Sequence, residues 1–166
     1  MKAIVYESNT GSTKKYAEML GAKSGLPVYE RKEAAKHLGE KDEIIYMGWL
    51  MASRIKGYEK AAKHFTVKAV CGVGMTAPGE VSIKELTESN HITDAKVFYF
   101  RGGYDINKLR GMYKLMMKTM TKVLLKKLEE KQDKTDGDLE SIDMLINGKW
   151  CVKEENLAPV LAWLSA

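Results

Sequence analysis

Short apolar runs alternate with amphipathic stretches along most of this chain, and that alternation restricts its fold more than any other feature. Unbroken apolar strands belong to sheets buried on both faces, and parallel strands need crossover segments, usually helices, to connect them. Lys2–Tyr6 reads as a first strand, Pro27–Tyr29 as a short second, Glu43–Gly48 as a third, Val67–Val73 as a fourth and Lys96–Phe100 as a fifth. Helices are predicted between them: one through about Ser24 with Tyr16, Ala17, Leu20 and Gly21 inward, then Gly57–His64 and Ser82–Ser89. A long helix over Asn107–Lys131, an acidic loop around Asp133–Asp138 and a last helix over Glu154–Leu164 complete the chain. Five strands with four crossovers predict a doubly wound α/β sheet in a single domain covering residues 1–166.

Composition agrees with a self-sufficient core. A chain of 166 residues, 45% hydrophobic, buries enough surface to fold without disulfides or structural metal. Cys71 and Cys151 are far apart and lack CxxC spacing, and His37, His64 and His91 have no ligand spacing, so no metal site is predicted. The longest uncharged stretches are about half a membrane span, and the N-terminal strand carries no secretory leader, so a cytoplasmic protein is expected.

Charge is unevenly placed. Asn107–Lys131 holds eight basic and two acidic residues, a net +6, against nineteen basic and twenty acidic elsewhere. The basicity therefore belongs to one element, and no nucleic-acid partner is predicted. On a helical wheel Arg110, Lys114, Lys118, Lys122 and Lys126 share one side, while Leu109, Met112, Met116, Met120, Val123 and Leu124 share the other. That apolar stripe is expected to pack on the sheet. The lysine face suits solvent, an anionic lipid surface, an acidic redox protein or a carboxylate-bearing small molecule.

The most informative segment is Ser8-Asn9-Thr10-Gly11-Ser12-Thr13, between the first strand and the first helix. Ligands of doubly wound sheets bind at the carboxyl ends of strands. A helix N-terminus there offers unpaired amides and the positive end of a dipole, which suit phosphate. Small hydroxyl residues add donors, and a glycine permits backbone conformations that a Cβ hinders. Ser12 or Thr13 acting only as a helix cap is the plainer alternative. The GK[ST] order of a nucleotide-triphosphate loop is missing, and Gly72-x-Gly74-x-x-Ala77 is followed by Pro78-Gly79 rather than by a helix.

At Ser8, Thr10, Gly11 and Thr13 the loop resembles the flavodoxin family pattern [ST]-x-T-G-x-T. The phrase Phe100-Arg101-Gly102-Gly103-Tyr104-Asp105, followed by a methionine-rich basic helix, resembles the branch that includes menaquinone-linked protoporphyrinogen oxidases. The resemblance covers nearly the whole chain. It implies a flavodoxin-like, three-layer α/β/α arrangement with strand order 2-1-3-4-5, FMN as cofactor and a phosphate held by Ser8–Thr13 without basic side chains. It further implies that two neighbouring loops wall the flavin: Trp49, Leu50, Met51 and Ala52 on one, Gly74, Met75, Thr76 and Ala77 on the other. Trp49 would stack on the ring, with ordinary packing against the following helix as the alternative. Electron-carrier flavodoxins usually carry an outer-face tyrosine, but no aromatic lies between Gly72 and Asn90, which leaves that face open.

Three functional readings follow: an FMN-dependent electron-transfer protein, a quinone- or porphyrinogen-linked flavoenzyme, and a module that keeps the fold without the cofactor. Electron transfer needs no catalytic acid or base, and none is assigned. A redox partner protein, or a quinone or porphyrinogen, is the expected partner. Cys71, inside the fourth strand, reads as a core residue, and Trp150 and Trp163 as packing for the last helix.

Overall fold

The computed structural model describes residues 1–109 and 111–166; Arg110, one of the predicted basic residues, lies outside them. The chain divides into two compact units, Met1–Gly102 with Val152–Ala166, and Gly103–Cys151.

The first unit is the sheet. Strands β1 (Ala3–Glu7), β2 (Val28–Glu30), β3 (Glu43–Met51), β5 (Thr66–Gly74) and β6 (Lys96–Arg101) are all parallel, in the order β2-β1-β3-β5-β6. Counting the parallel strands alone, this is the predicted order 2-1-3-4-5. A two-residue strand, β4 (Arg54–Ile55), runs back antiparallel against the end of β3.

Two cores lie on opposite faces because successive strand residues point in opposite directions. On one face Ile4, Ile45, Met47, Cys71 and Phe100 pack against Tyr16, Ala17 and Leu20 of α1 (Ser12–Ser24) and Val160 of α7 (Ala158–Leu164). Burying a side chain such as Leu20 contributes about 2 kcal/mol. On the other face Val5, Ile44, Tyr46 and Val70 meet α2 (Arg31–Ala34), α3 (Tyr58–His64) and α4 (Ile83–Ser89) through Ala34, Tyr58, Ala61 and Leu86. The result is the three-layer α/β/α arrangement. Trp163 packs edge-on against Phe98, as expected of it.

The third strand is longer than predicted. Glu43–Gly48 extends to Met51, and the expected loop Gly48–Arg54 is instead strand, a two-residue turn and β4. Ala52 and Ser53 both adopt positive φ, 47° and 62°, which is the twist that joins antiparallel strands through a two-residue turn. No Asn-Gly or Gly-Gly pair announced it.

The second unit, Gly103–Cys151, contains α5 (Gly111–Glu129), α6 (Asp136–Asn147) and a small antiparallel pair, β7 (Gly103–Tyr104) with β8 (Lys149–Trp150). Helix α6 begins where an acidic loop was expected. Thr135 is its N-cap: the Thr135 hydroxyl accepts from the Asp138 amide, and the Asp138 carboxylate accepts from the Thr135 amide. Trp150, expected to pack under the last helix, is exposed on β8 with the Lys108 ammonium 4.9 Å from its ring centre. The apolar stripe expected to pack on the sheet is also largely exposed, with Met112, Met120, Val123 and Leu124 open to solvent. Thr121, on the opposite side of α5, is buried, its hydroxyl 2.7 Å from that of Tyr104.

Candidate functional site

Parallel strands with a common direction present their carboxyl ends along one edge, so adjacency in the sheet decides which loops become neighbours. β1 and β5 both pair with β3, placing Glu7 beside Gly48, Gly48 beside Gly72 and Trp49 beside Val73. The segments that follow, Ser8–Gly11, the Met51–Arg54 turn and Met75–Ala77, therefore leave the sheet side by side.

Ser8, Asn9, Thr10 and Gly11 are half-buried, and Ser12 and Thr13 are buried in the first turn of α1. The N-cap is Gly11, at φ 98°, and it makes no side-chain capping bond. Ser12 and Thr13, the alternative cap residues, therefore lie inside the first turn of the helix rather than at its cap. The Gly11 amide donates to Ser8 Oγ at 3.2 Å, which closes the loop on itself over three residues. A Cβ on Gly11 would meet nothing within 4 Å, so only the left-handed backbone requires glycine there. The loop carries no charged side chain; Lys14, the first cation after it, is exposed near Glu18.

The other two segments supply apolar surface. Trp49, Leu50 and Met51 are half-buried near the end of β3, and Ala52 is exposed at the turn. Lys56 Nζ lies 5.8 Å from the Trp49 ring centre, and the Lys56 amide donates to the Trp49 carbonyl at 3.0 Å. Leu50 reaches across to the third segment, its Cδ1 3.1 Å from where a Cβ on Gly74 would stand. Gly74, Met75 and Ala77 are half-buried and Thr76 is exposed.

Several residues hold these segments through contacts that the sequence reading did not assign to them. The Gly102 amide donates to the Gly74 carbonyl at 2.7 Å, and a Cβ on Gly102 would stand 3.2 Å from Ser12 Cβ and 2.9 Å from Val73 Cγ1. Gly102 thereby lets the start of α1 close against the end of β5. Arg101 Nε donates to the Met75 carbonyl at 3.2 Å, and Tyr99 Oη to the Thr76 carbonyl at 2.7 Å. Burial pushes the Tyr99 phenol pKa up, so it remains a donor across the ordinary pH range. Asn90, buried at the end of α4, accepts from the Ile55 amide and donates to the Ser53 and Leu86 carbonyls, fixing the Ala52–Ser53 turn. Tyr16 Oη donates to the Arg101 carbonyl at 2.6 Å and accepts from Asn156 Nδ2. Apart from Asn90 with Leu86, these partners lie 23 to 140 residues apart along the chain, so no local motif exposes them.

The donor set fits a flavin. Neutral hydroxyls and an amide-rich helix start suit a phosphate, and half-buried apolar side chains such as Trp49, Leu50 and Met75 suit a flat, mostly apolar ring. Behind the edge, Glu7 is paired with Arg31, so that arginine's charge is offset within the fold.

A family model described as the flavodoxin domain matches residues 3–132. No curated protein and no solved structure matches the chain. The family match supports a flavin as the class of cofactor. With the strand order, the three layers and the loop after β1 already in place, the match over most of the sequence closes the assignment: the chain belongs to the flavodoxin domain family.

Proposed function

We propose that this chain binds FMN non-covalently at the carboxyl edge of its sheet and transfers electrons through it. The observation that carries this reading is the start of α1. The N-cap of α1 is Gly11, which has no side chain to cap with, and it stands in a loop where Ser8, Thr10, Ser12 and Thr13 supply hydroxyls. FMN, when bound, supplies the redox chemistry; the protein positions it and tunes it electrostatically. Ser8–Thr13 would hold the phosphate, and Trp49, Leu50 and Met75 would shield the ring from water. The Met75 and Thr76 carbonyls are fixed by Arg101 and Tyr99, so the backbone of that segment meets a ligand with little reorganisation.

A second reading, a quinone- or porphyrinogen-linked flavoenzyme, is favoured by the third segment. Residues 75–82 contain no aromatic to cover the outer face of a ring, and the Arg101 guanidinium beside Met75 suits an anionic substrate.

Reconstituting purified protein with FMN, removing free flavin and recording the visible spectrum tests the shared premise. Retained stoichiometric flavin supports it, and a colourless product identifies a fold without its cofactor. Oxidation of a porphyrinogen with a quinone acceptor then separates the two readings, because a simple electron carrier accelerates it no more than free FMN does.

A further inference from the structure

Nine of the eleven large apolar side chains exposed among the described residues belong to the Gly103–Cys151 unit. On α5, Met112 is 83% exposed, Leu115 68% and Val123 62%. At 100° per residue these three and Met120 cover roughly 140° of one side of the helix, opposite the buried Thr121. Lys126 and Lys127 lie within that arc, Lys122 borders one edge, and Lys118 lies about 60° beyond that edge. Among the described residues, Lys126 pairs only with Glu130 on the next turn, and no carboxylate lies within ion-pair distance of Lys118, Lys122 or Lys127.

We propose that this arc of α5 docks on an anionic bilayer surface. A helix with exposed methionine, leucine and valine among lysines lies in the interface, apolar chains at the acyl boundary and ammonium groups among the phosphates. α5 carries five lysines against one acidic residue, so the charge complement is anionic. No helix among the described residues is long and apolar enough to cross a membrane, so the contact lies on the surface. A second copy of the chain is a poorer occupant. Two α5 faces would set lysine against lysine, and Asp138 and Glu140 of α6 are already engaged by Lys131 and Lys149 of their own unit.

The test is co-sedimentation of the full chain with phosphatidylglycerol–phosphatidylcholine vesicles and with pure phosphatidylcholine vesicles, from about 0.05 to 0.5 M salt. Binding is expected only with phosphatidylglycerol present and falls as salt rises. Replacing Lys118, Lys122 and Lys126 with glutamine weakens it by roughly a hundredfold at low salt, about fivefold per lysine. The same three positions changed to arginine retain it. Met112→Ser with Val123→Ser weakens it about tenfold at unchanged charge. Equal binding to both vesicle types, or binding to neither, overturns the proposal. So does a lipid-free dimer that the serine variant dissociates, which would identify a second copy as the occupant. None of these readings depends on flavin.

Discussion

The Tyr99 hydroxyl donates a 2.7 Å hydrogen bond to the carbonyl of Thr76, tying the segment after β5 to the neighbouring strand β6. Its removal in Tyr99→Phe is expected to cost about 1 kcal/mol and to weaken FMN binding several-fold, read by urea denaturation and flavin titration. The pH dependence follows from the raised phenol pKa. Unfolded tyrosine loses its proton near pH 10 while the folded one holds it. The contribution is therefore full below about pH 10 and declines above it.

Asn90 braces the Ala52–Ser53 turn from 37 residues away with bonds to Ile55, Ser53 and Leu86. Asn90→Ala leaves the buried Ile55 amide without its acceptor. Destabilisation of about 2–3 kcal/mol is expected from the denaturation midpoint, together with faster hydrogen exchange at Ile55. An unchanged midpoint would mean that the turn holds itself.

Helix α6 depends on its capping box. Thr135→Ala is expected to cost about 1 kcal/mol, visible as lost helicity by circular dichroism. Hydrogen bonds from Lys131, and then from Thr135, hold the Asp138 carboxyl at about 2. Its folded pKa lies below the unfolded one, so the contribution is present above about pH 4 and is lost as pH falls through about 2. In an acid titration the gap between parent and Thr135→Ala is expected to narrow as pH falls through about 2, leaving the part contributed by the hydroxyl's bond from the Asp138 amide.

Cys71 is fully buried in β5, and burial pushes its thiol pKa up. In a Cys151→Ser background, a thiol reagent at about pH 8 is expected to modify Cys71 only as the protein unfolds. Rapid labelling of native protein would show that this core opens locally.

The five parallel strands and the inward face of α1 were legible because both follow short-range periodicities: unbroken apolar runs for the strands, and Tyr16, Ala17 and Leu20 recurring on one side of the helix. The loop Ser8–Thr13 was legible because its residue types and their place after β1 are both local. The β3–β4 turn was not, since its positive φ values fall on Ala52 and Ser53, which carry no turn signature, and Asn90 holds it from a distant helix. Nor was the exposure of α5. A periodic apolar stripe shows that a helix has two faces but not which one turns inward, and here buried Thr121 bonds Tyr104 while Met112 faces out. Arg101 and Gly102 stood in a recognised phrase, but their role, like that of Tyr99, rests on single bonds or close approaches across the sheet edge, which leave no spacing to read.

The central claim, that the loop Ser8–Thr13 is a phosphate site, is tested most directly by titrating apo-protein with FMN and with riboflavin, following flavin fluorescence. The two ligands differ only in the phosphate. A wide preference for FMN is expected, and Thr10→Val with Thr13→Val should reduce FMN affinity by about 1–3 kcal/mol while leaving riboflavin affinity nearly unchanged. Equal affinities for the two flavins, or a double variant that binds FMN as the parent does, would contradict the claim.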